Sequence, residues 1–250
     1  MTTKQEPSAV EILGVSIAAV DQPTAMRSID DAIEAKVPMR LAFANANLLN
    51  HAAADPRVRQ ALGGFTVYND GIGVDIARRV LAGAPFPANM NGTDFTPYIL
   101  EHSRHSLRVF ILGSRPDTIE KAARAVERDY PRHEVVGYQH GYASEEEHGA
   151  IADRIASLDV DILMVGMGNP IQELWLDRHH RRSRATIGMG IGAQIDRFAG
   201  EVERPPQLVL DMRIEWLYRL AREPRRLAKR YVLGNATFLA RIARQRLTGR

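Results

Sequence analysis

The run Asn69-Asp70-Gly71-Ile72-Gly73 sets a carboxylate between an amide and a glycine, just after a short apolar stretch at residues 66–68. An aspartate presented at the end of a strand can take a proton from a substrate hydroxyl. The same Asp-Gly pair also serves as a plain turn or helix cap. Three further segments share this make-up: Asn45-Ala46-Asn47, residues 166–173 (Gly166, Gly168, Asn169, Gln172, Glu173) and residues 190–196 (Gly190, Gly192, Gln194, Asp196). Glycine lets a ligand approach the backbone, and amides can fix hydroxyls and a base. Gln172 and Glu173 would equally suit the solvated first turn of a helix. No G-x-G-x-x-G sits at a strand-to-helix junction and no Walker lysine is present, which argues against a standard dinucleotide or P-loop site. Asp159-Val160-Asp161 has a spacing that can hold a divalent cation, but it precedes its strand and so belongs at the wrong end of a sheet. The pairs His102/His105 and His179/His180 lie among charged helical residues and read as solvated surface rather than metal ligands. Neither a metal nor a cofactor is expected.

The elements that must position these loops alternate from residue 107 onward. Apolar runs at 107–113, 161–166 and 185–191 read as strands buried on both faces, and 134–138 as a fourth. Between them lie helical segments. One starts at Ser114 with Asp117 in capping-box spacing and Pro116 in its first turn, and runs to residue 130. A second starts at Ser144 with Glu147 and runs to 158, and a third covers 172–182. Strand–helix alternation of this kind predicts an α/β fold: a parallel, Rossmann-like, doubly wound sheet. The first hundred residues read as a similar, less regular half: strand at 40–45, helix to about 62, strand at 66–68, helices at 75–81 and 94–102. In such sheets ligands bind beyond the carboxyl ends of the strands, where all four loops would fall. The expected organisation is a core over 1–203, in halves of about 8–105 and 106–203, with a basic helical appendage over 204–250.

Composition bounds the rest. The chain has 250 residues, 45% hydrophobic and 25% charged, and no cysteine, which removes disulfides, thiolate metal sites and a thiol nucleophile and fits a reducing compartment. No apolar run approaches the roughly 20 residues of a membrane span, and residues 1–7 lack the apolar core of a signal peptide, so a cytoplasmic body is expected. The net charge of +3 is unevenly spread. Residues 201–250 hold 12 Lys/Arg against 5 Asp/Glu, a net of +7, leaving 21 against 25 elsewhere, a net of −4. A basic tail on an acidic body points to an anionic partner. Residues 208–230 and 236–247 read as Arg-rich amphipathic helices. In the second, Phe238, Leu239, Ile242 and Ala243 share one face and Arg241 and Arg244 another.

Taken in order, these motifs resemble the WecG/TagA/CpsF glycosyltransferases of bacterial cell-surface polysaccharide synthesis, from about residue 10 to 231. The resemblance is carried by residues 69–74, Asn91-Gly92-Thr93-Asp94, Phe110-Ile111-Leu112-Gly113, residues 165–175 and residues 188–196. Arg204-Pro205-Pro206, Glu215-Trp216-Leu217-Tyr218-Arg219 and Glu223-Pro224-Arg225-Arg226 complete it. It implies an inverting enzyme that uses a UDP-sugar and an undecaprenyl-diphosphate-linked acceptor at the inner membrane face. By the same resemblance Asp70 is the general base, Asn45 and Gln172 help hold the donor, and Arg219 and Arg226 close over the site. Asn47, Asn69, Gly71, Asn91 and Gly92 are expected to line the substrate site from the first half. Gly113, Gly166, Gly168, Gly192 and Asp196 are expected to line it from the second. The chain departs from the family pattern at Phe43 (threonine), Asn69 (proline), Asn89 (arginine), Ile171 (lysine) and Lys229 (arginine).

With no metal, the charge of the leaving diphosphate would fall to helix N-termini and to Arg219, Arg222, Arg225 and Arg226, which recur at helical spacing. A solvated basic helix is the plainer reading of those arginines. An apolar face on the tail would serve a second copy of the chain, giving a homo-oligomer, as readily as a membrane. A nicotinamide-dependent oxidoreductase of nucleotide sugars is the alternative that the doubly wound sheet allows. Nucleic-acid binding is not expected, because the body is acidic and the tail has few aromatic residues for stacking.

Overall fold

The computed structural model describes residues 9–203, 215–222, 225 and 232–249. Its centre is one continuous eight-stranded sheet: β1 (Ala9–Ile12), β2 (Val15–Ala18), β3 (Met39–Ala44), β4 (Thr66–Asn69), β5 (Arg108–Gly113), β6 (Glu134–Gln139), β7 (Ile162–Gly166) and β8 (Ile187–Gly190). The order across the sheet is β1-β2-β4-β3-β8-β7-β5-β6. Strands β2 through β6 in that order are parallel, and only β1, hairpinned to β2, runs antiparallel at the edge. The expected halves are therefore joined in a single sheet through β3 and β8, which pair from Met39 opposite Ile187 to Leu41 opposite Met189.

Side chains alternate across the sheet because successive residues of a strand face opposite ways. Leu41, Phe43, Ile162, Met164 and Met189 face one helical layer, formed by α1 (Gln22–Glu34), α5 (Gly92–His102), α6 (Pro116–Asp129) and α9 (Gln194–Phe198). Ala42, Ala44 and Val67 face the other, where α2 (Ala46–Ala54), α3 (Pro56–Leu62) and α4 (Ile72–Ala82) cover the first half. There α7 (Glu145–Ala156) and α8 (Ile171–Ser183) cover Phe110, Leu112, Leu163 and Val165. Among the described residues of the basic tail are α10 (Glu215–Arg222) and α11 (Gly234–Thr248). Phe238 and Ile242 of α11 are buried in the core cluster of α2 and α4, whereas Leu239 and Ala243 are exposed. No helix among the described residues is long and apolar enough to cross a membrane.

Several local expectations are corrected. The single helix read between the strand at 40–45 and about residue 62 is two, because Asp55 ends α2 and caps α3, with Pro56 at the first position of the new helix. Ser114 does not cap α6; its φ is 53° and its hydroxyl donates to Asp196 Oδ1 at 2.8 Å. At Ser144 the capping box forms as read. His179 and His180 are buried, not solvated. They belong to the inward stripe of α8, which runs Gln172, Trp175, Leu176, His179, His180, Ser183 at helical period. Burial pushes His180 down to about 4, so it is a neutral core residue at neutral pH.

Candidate functional site

Register places the strand ends level. Ala44 lies opposite Asn69, Gly113 opposite Gly166, and Val165 opposite Gly190. The loops after β3, β4, β5, β7 and β8 consequently leave the sheet side by side along its carboxyl edge, which is where open parallel sheets bind ligands. The Asp159-x-Asp161 pair is at the opposite edge, as expected. There Asp161 accepts from the Arg108 backbone N–H at 2.9 Å and pairs with Lys36 Nζ at 2.9 Å.

Asp70 directly follows β4, tied by its N–H to Ala44 O at 2.9 Å, and its side chain is partly exposed. Its Oδ2 accepts from Asn45 Nδ2 at 3.3 Å. Asn45 owes its orientation to α2. It is the N-cap, and its Oδ1 accepts from Leu48 N–H at 3.0 Å, so its Nδ2 must face the other way, toward Asp70. The same Nδ2 donates to Asn169 Oδ1 at 3.4 Å, which joins the β3 and β4 loops to the β7 loop. Gly71 turns at φ 84° into α4, a conformation open to glycine, and its N–H donates to Asn89 Oδ1 at 3.1 Å. Asn89, one of the departures from the family pattern, thus braces the loop that carries Asp70. Asn47 is half-buried in the first turn of α2.

Gln172 links the β7 and β8 loops from beneath. It is 2% exposed, and its Oε1 accepts from Gly168 N–H at 3.2 Å and Gly192 N–H at 3.1 Å. Its Nε2 donates to Glu173 Oε1 at 2.8 Å. As the chain stands, Gln172 supports the loops through internal bonds and offers little surface to a donor. Gly113 and Gly166 likewise serve close approach: a Cβ on Gly113 would lie 2.2 Å from Gly166 O, and one on Gly166 2.7 Å from Gly192 O. Asp196, partly exposed on α9, is held by Ser114 beside them.

Asn69 and Asn91 also turn inward. Asn69 is buried and its Nδ2 donates to Ala88 O at 2.9 Å. Asn91 is the buried N-cap of α5, accepting from Asp94 N–H at 2.9 Å and Thr93 Oγ1 at 2.6 Å. Gly92 is small because Phe43 fills the space above it, so a Cβ there would meet the ring at 2.8 Å. Phe43, where the family has a threonine, is buried against Tyr68 and Phe95. Between the first turns of α5 and α9 lies a cavity of about 460 Å³ lined by Thr93, Asp94, Tyr98, Gln194, Arg197 and Phe198. Gln194 is buried there, its Oε1 without a hydrogen-bond partner among the described residues.

The sequence places Asn169 and Glu173 in a candidate loop without a role for either, and Glu173 is not the solvated first-turn residue that its position allowed. Glu173 is fully buried; its Oε1 accepts from Asn169 Nδ2 at 2.7 Å and Gln172 Nε2 at 2.8 Å, while Oε2 has no hydrogen-bond partner among the described residues. Burial pushes its carboxyl up to about 7, against the pull of those two donated hydrogen bonds. The available signal was periodicity, because Gln172 and Glu173 open the buried stripe that continues through Trp175 and Leu176.

Of the tail arginines, Arg222 donates to Glu203 Oε2 at 2.7 Å and to Tyr218 Oη at 2.8 Å, and Arg225 is exposed. The Arg219 side chain lies outside the described residues, as do Arg226, Lys229 and Arg204-Pro205-Pro206.

Residues 10–250 match the Glycosyl transferase WecG/TagA/CpsF family. Among its relatives, an N-acetylglucosaminyldiphosphoundecaprenol N-acetyl-beta-D-mannosaminyltransferase of Bacillus spizizenii is 30% identical over 185 residues, 73% of this chain and 71% of that protein. Its namesake from Staphylococcus aureus strain MW2 is 27% identical over 234 residues, covering 90% and 89% of the two chains.

Proposed function

This chain belongs to the WecG/TagA/CpsF glycosyltransferase family, and from that premise we propose that it moves an N-acetylhexosaminyl-type sugar from a UDP-sugar to an undecaprenyl-diphosphate-linked acceptor, with inversion, using Asp70 as general base. The acceptor class follows the names of the relatives, which act on N-acetylglucosaminyldiphosphoundecaprenol. The observation that carries the assignment of the base is the partly exposed Asp70 carboxylate at the carboxyl edge of the sheet, held by an asparagine whose orientation is set by a helix cap.

In a single displacement the acceptor hydroxyl oxygen bonds to the anomeric carbon while the bond from that carbon to the UDP oxygen breaks. The hydroxyl proton passes to Asp70. The reading invokes no metal: the Asp-x-Asp pair at 159 and 161 lies at the far edge, where Asp161 is held by the Arg108 N–H and Lys36. Negative charge on the departing diphosphate is steadied instead by N–H groups in the first turn of α4 and by tail guanidinium groups. The Asp70→Asn variant tests the base. UDP-sugar binding, measured by calorimetry, stays within a few-fold of wild type, while turnover falls by about 10²–10⁴. Near-normal turnover removes Asp70 from the role.

The same reading brings the protein to the inner membrane face through its basic tail. Removing the tail would also remove Phe238 and Ile242 from the core, so charge is the cleaner probe. Arg244 and Arg246 are exposed on α11. Attraction to anionic lipid is worth about 1 kcal/mol per basic residue near the surface and is screened by salt. The double variant Arg244→Glu/Arg246→Glu should bind anionic vesicles more weakly in sedimentation, with the difference shrinking at high salt. Equal binding at low salt counts against tail docking.

A further inference from the structure

Three hydrogen bonds join the buried start of α8 to the carboxylate of Asp70. Glu173 Oε1 accepts from Asn169 Nδ2 at 2.7 Å; Asn169 Oδ1 accepts from Asn45 Nδ2 at 3.4 Å; and Asn45 Nδ2 donates to Asp70 Oδ2 at 3.3 Å. A side-chain amide has two faces, one donating and one accepting, that exchange on a half-turn. The oxygen at the head of this chain accepts only, so Asn169 turns its Nδ2 inward and presents Oδ1 to Asn45. Independently, Leu48 N–H holds Asn45 Oδ1 at 3.0 Å and presents its Nδ2 outward. The two constraints agree, and a donor is left facing Asp70.

We propose that Glu173 is a positioning residue for the transfer: acting through Asn169, it keeps an acceptor on the Asn45 amide that α2 has oriented, and so steadies the contact that holds the Asp70 carboxylate. This rests on the reading of Asp70 as the base. Glu173 suits the task because it is fully buried, and an isolated polar contact in a dry interior is costly to break. Protonation would fall on Oε2, the oxygen without a partner among the described residues, so Oε1 accepts in either charge state. With the chain cut, Asn169 is free to flip and turn its NH₂ on Asn45, whose own NH₂ then loses an acceptor. Small misplacements of a catalytic group cost up to about 100-fold in rate.

The experiment measures kcat and donor KM per folded molecule for Glu173→Ala, Asn169→Ala, the double variant, Glu173→Gln, and each relay variant combined with Asp70→Asn. Each single alanine variant should lower kcat about 10- to 100-fold with donor KM within about threefold. The double variant should be no worse than the poorer single one, since both cut one chain. Glu173→Gln keeps an acceptor at the Oε1 position and should recover most of the loss. In the Asp70→Asn background the relay variants should cost nothing further. If Glu173→Ala does not fold, Asn169→Ala at its half-buried site carries the same test. Wild-type kcat in the folded alanine variants, a loss confined to donor KM, or losses that multiply in the double variant would overturn the positioning role while leaving the base intact. Near-normal turnover in Asp70→Asn alone would overturn the base, and the relay with it.

Discussion

Two buried carboxylates at opposite edges of the sheet, Asp161 and Glu173, are held in opposite ways. At the amino edge, Asp161 has one oxygen on the Lys36 ammonium and the other on the Arg108 N–H. Nearby, Asp30 uses both of its oxygens, accepting from Ser103 Oγ at 2.7 Å and Arg104 N–H at 3.2 Å. At the carboxyl edge, Glu173 has amides on one oxygen and, among the described residues, nothing on the other, and its carboxyl is pushed up to about 7. Asn69 Oδ1 and Gln194 Oε1 on the same side are also buried without partners among the described residues, as is His180 Nε2 against Gly188 on the amino side, while Asp75 in the first turn of α4 has both oxygens bonded. Buried polar groups are normally satisfied, and departures from that habit cluster where a ligand or a reaction has shaped the fold. Asp161 ties neighbouring elements together through both of its oxygens, whereas Glu173 keeps one oxygen in reserve.

The widest separation between the edges should appear in turnover. Asp70→Asn is expected to lose about 10²–10⁴ in kcat. Asp161→Ala, measured per folded molecule, should keep the wild-type value; a comparable loss there would erase the contrast. The cost of Asp161→Ala should appear instead as stability, about 1–3 kcal/mol by urea unfolding, mainly because the Arg108 N–H loses its acceptor. The exposed Lys36 adds little.

A smaller effect tests the buried end of α8 by pH. Glu173 is pushed up from 4.5 to about 7, so the fold prefers its neutral form. Its contribution to stability is full below about pH 4.5 and is lost as pH rises through about 7. His180, at the other end of the helix, is pushed down from 6.5 to about 4; its contribution is full above about 6.5 and lost as pH falls through about 4. Between these limits the two slopes oppose each other, each at most about 1.4 kcal/mol per pH unit. Glu173→Gln should therefore gain stability relative to wild type as pH rises from 4.5 to 7, and His180→Gln should gain relative to wild type as pH falls from 6.5 to 4. A Glu173→Gln difference that stays constant with pH would mean that the carboxyl does not titrate in this range.

Much of this was legible in local sequence. The capping box at Ser144, the buried strands of the second half and the placement of Asp70 at a strand end rest on spacing within a few residues. So does the dismissal of Asp159-x-Asp161. What escaped were features whose partners are remote. Ser114 has the spacing of a cap, yet its hydroxyl goes to Asp196, 82 positions away. His179 and His180 sit among charges in sequence, but α8 packs that side inward.

Sequence alone determined the alternation of elements, the strand ends that carry glycine and amide, and the family, because periodicity, capping and motif spacing are local properties of the chain. Tertiary structure decided that β8 pairs with β3, that Gln172 and Glu173 face inward, and that Asn45 meets Asp70 on one side and Asn169 on the other. The last contact closes over 124 residues. Contacts of that range exist only once the sheet has brought distant loops to one edge, since nothing in the local pattern of either segment specifies the other.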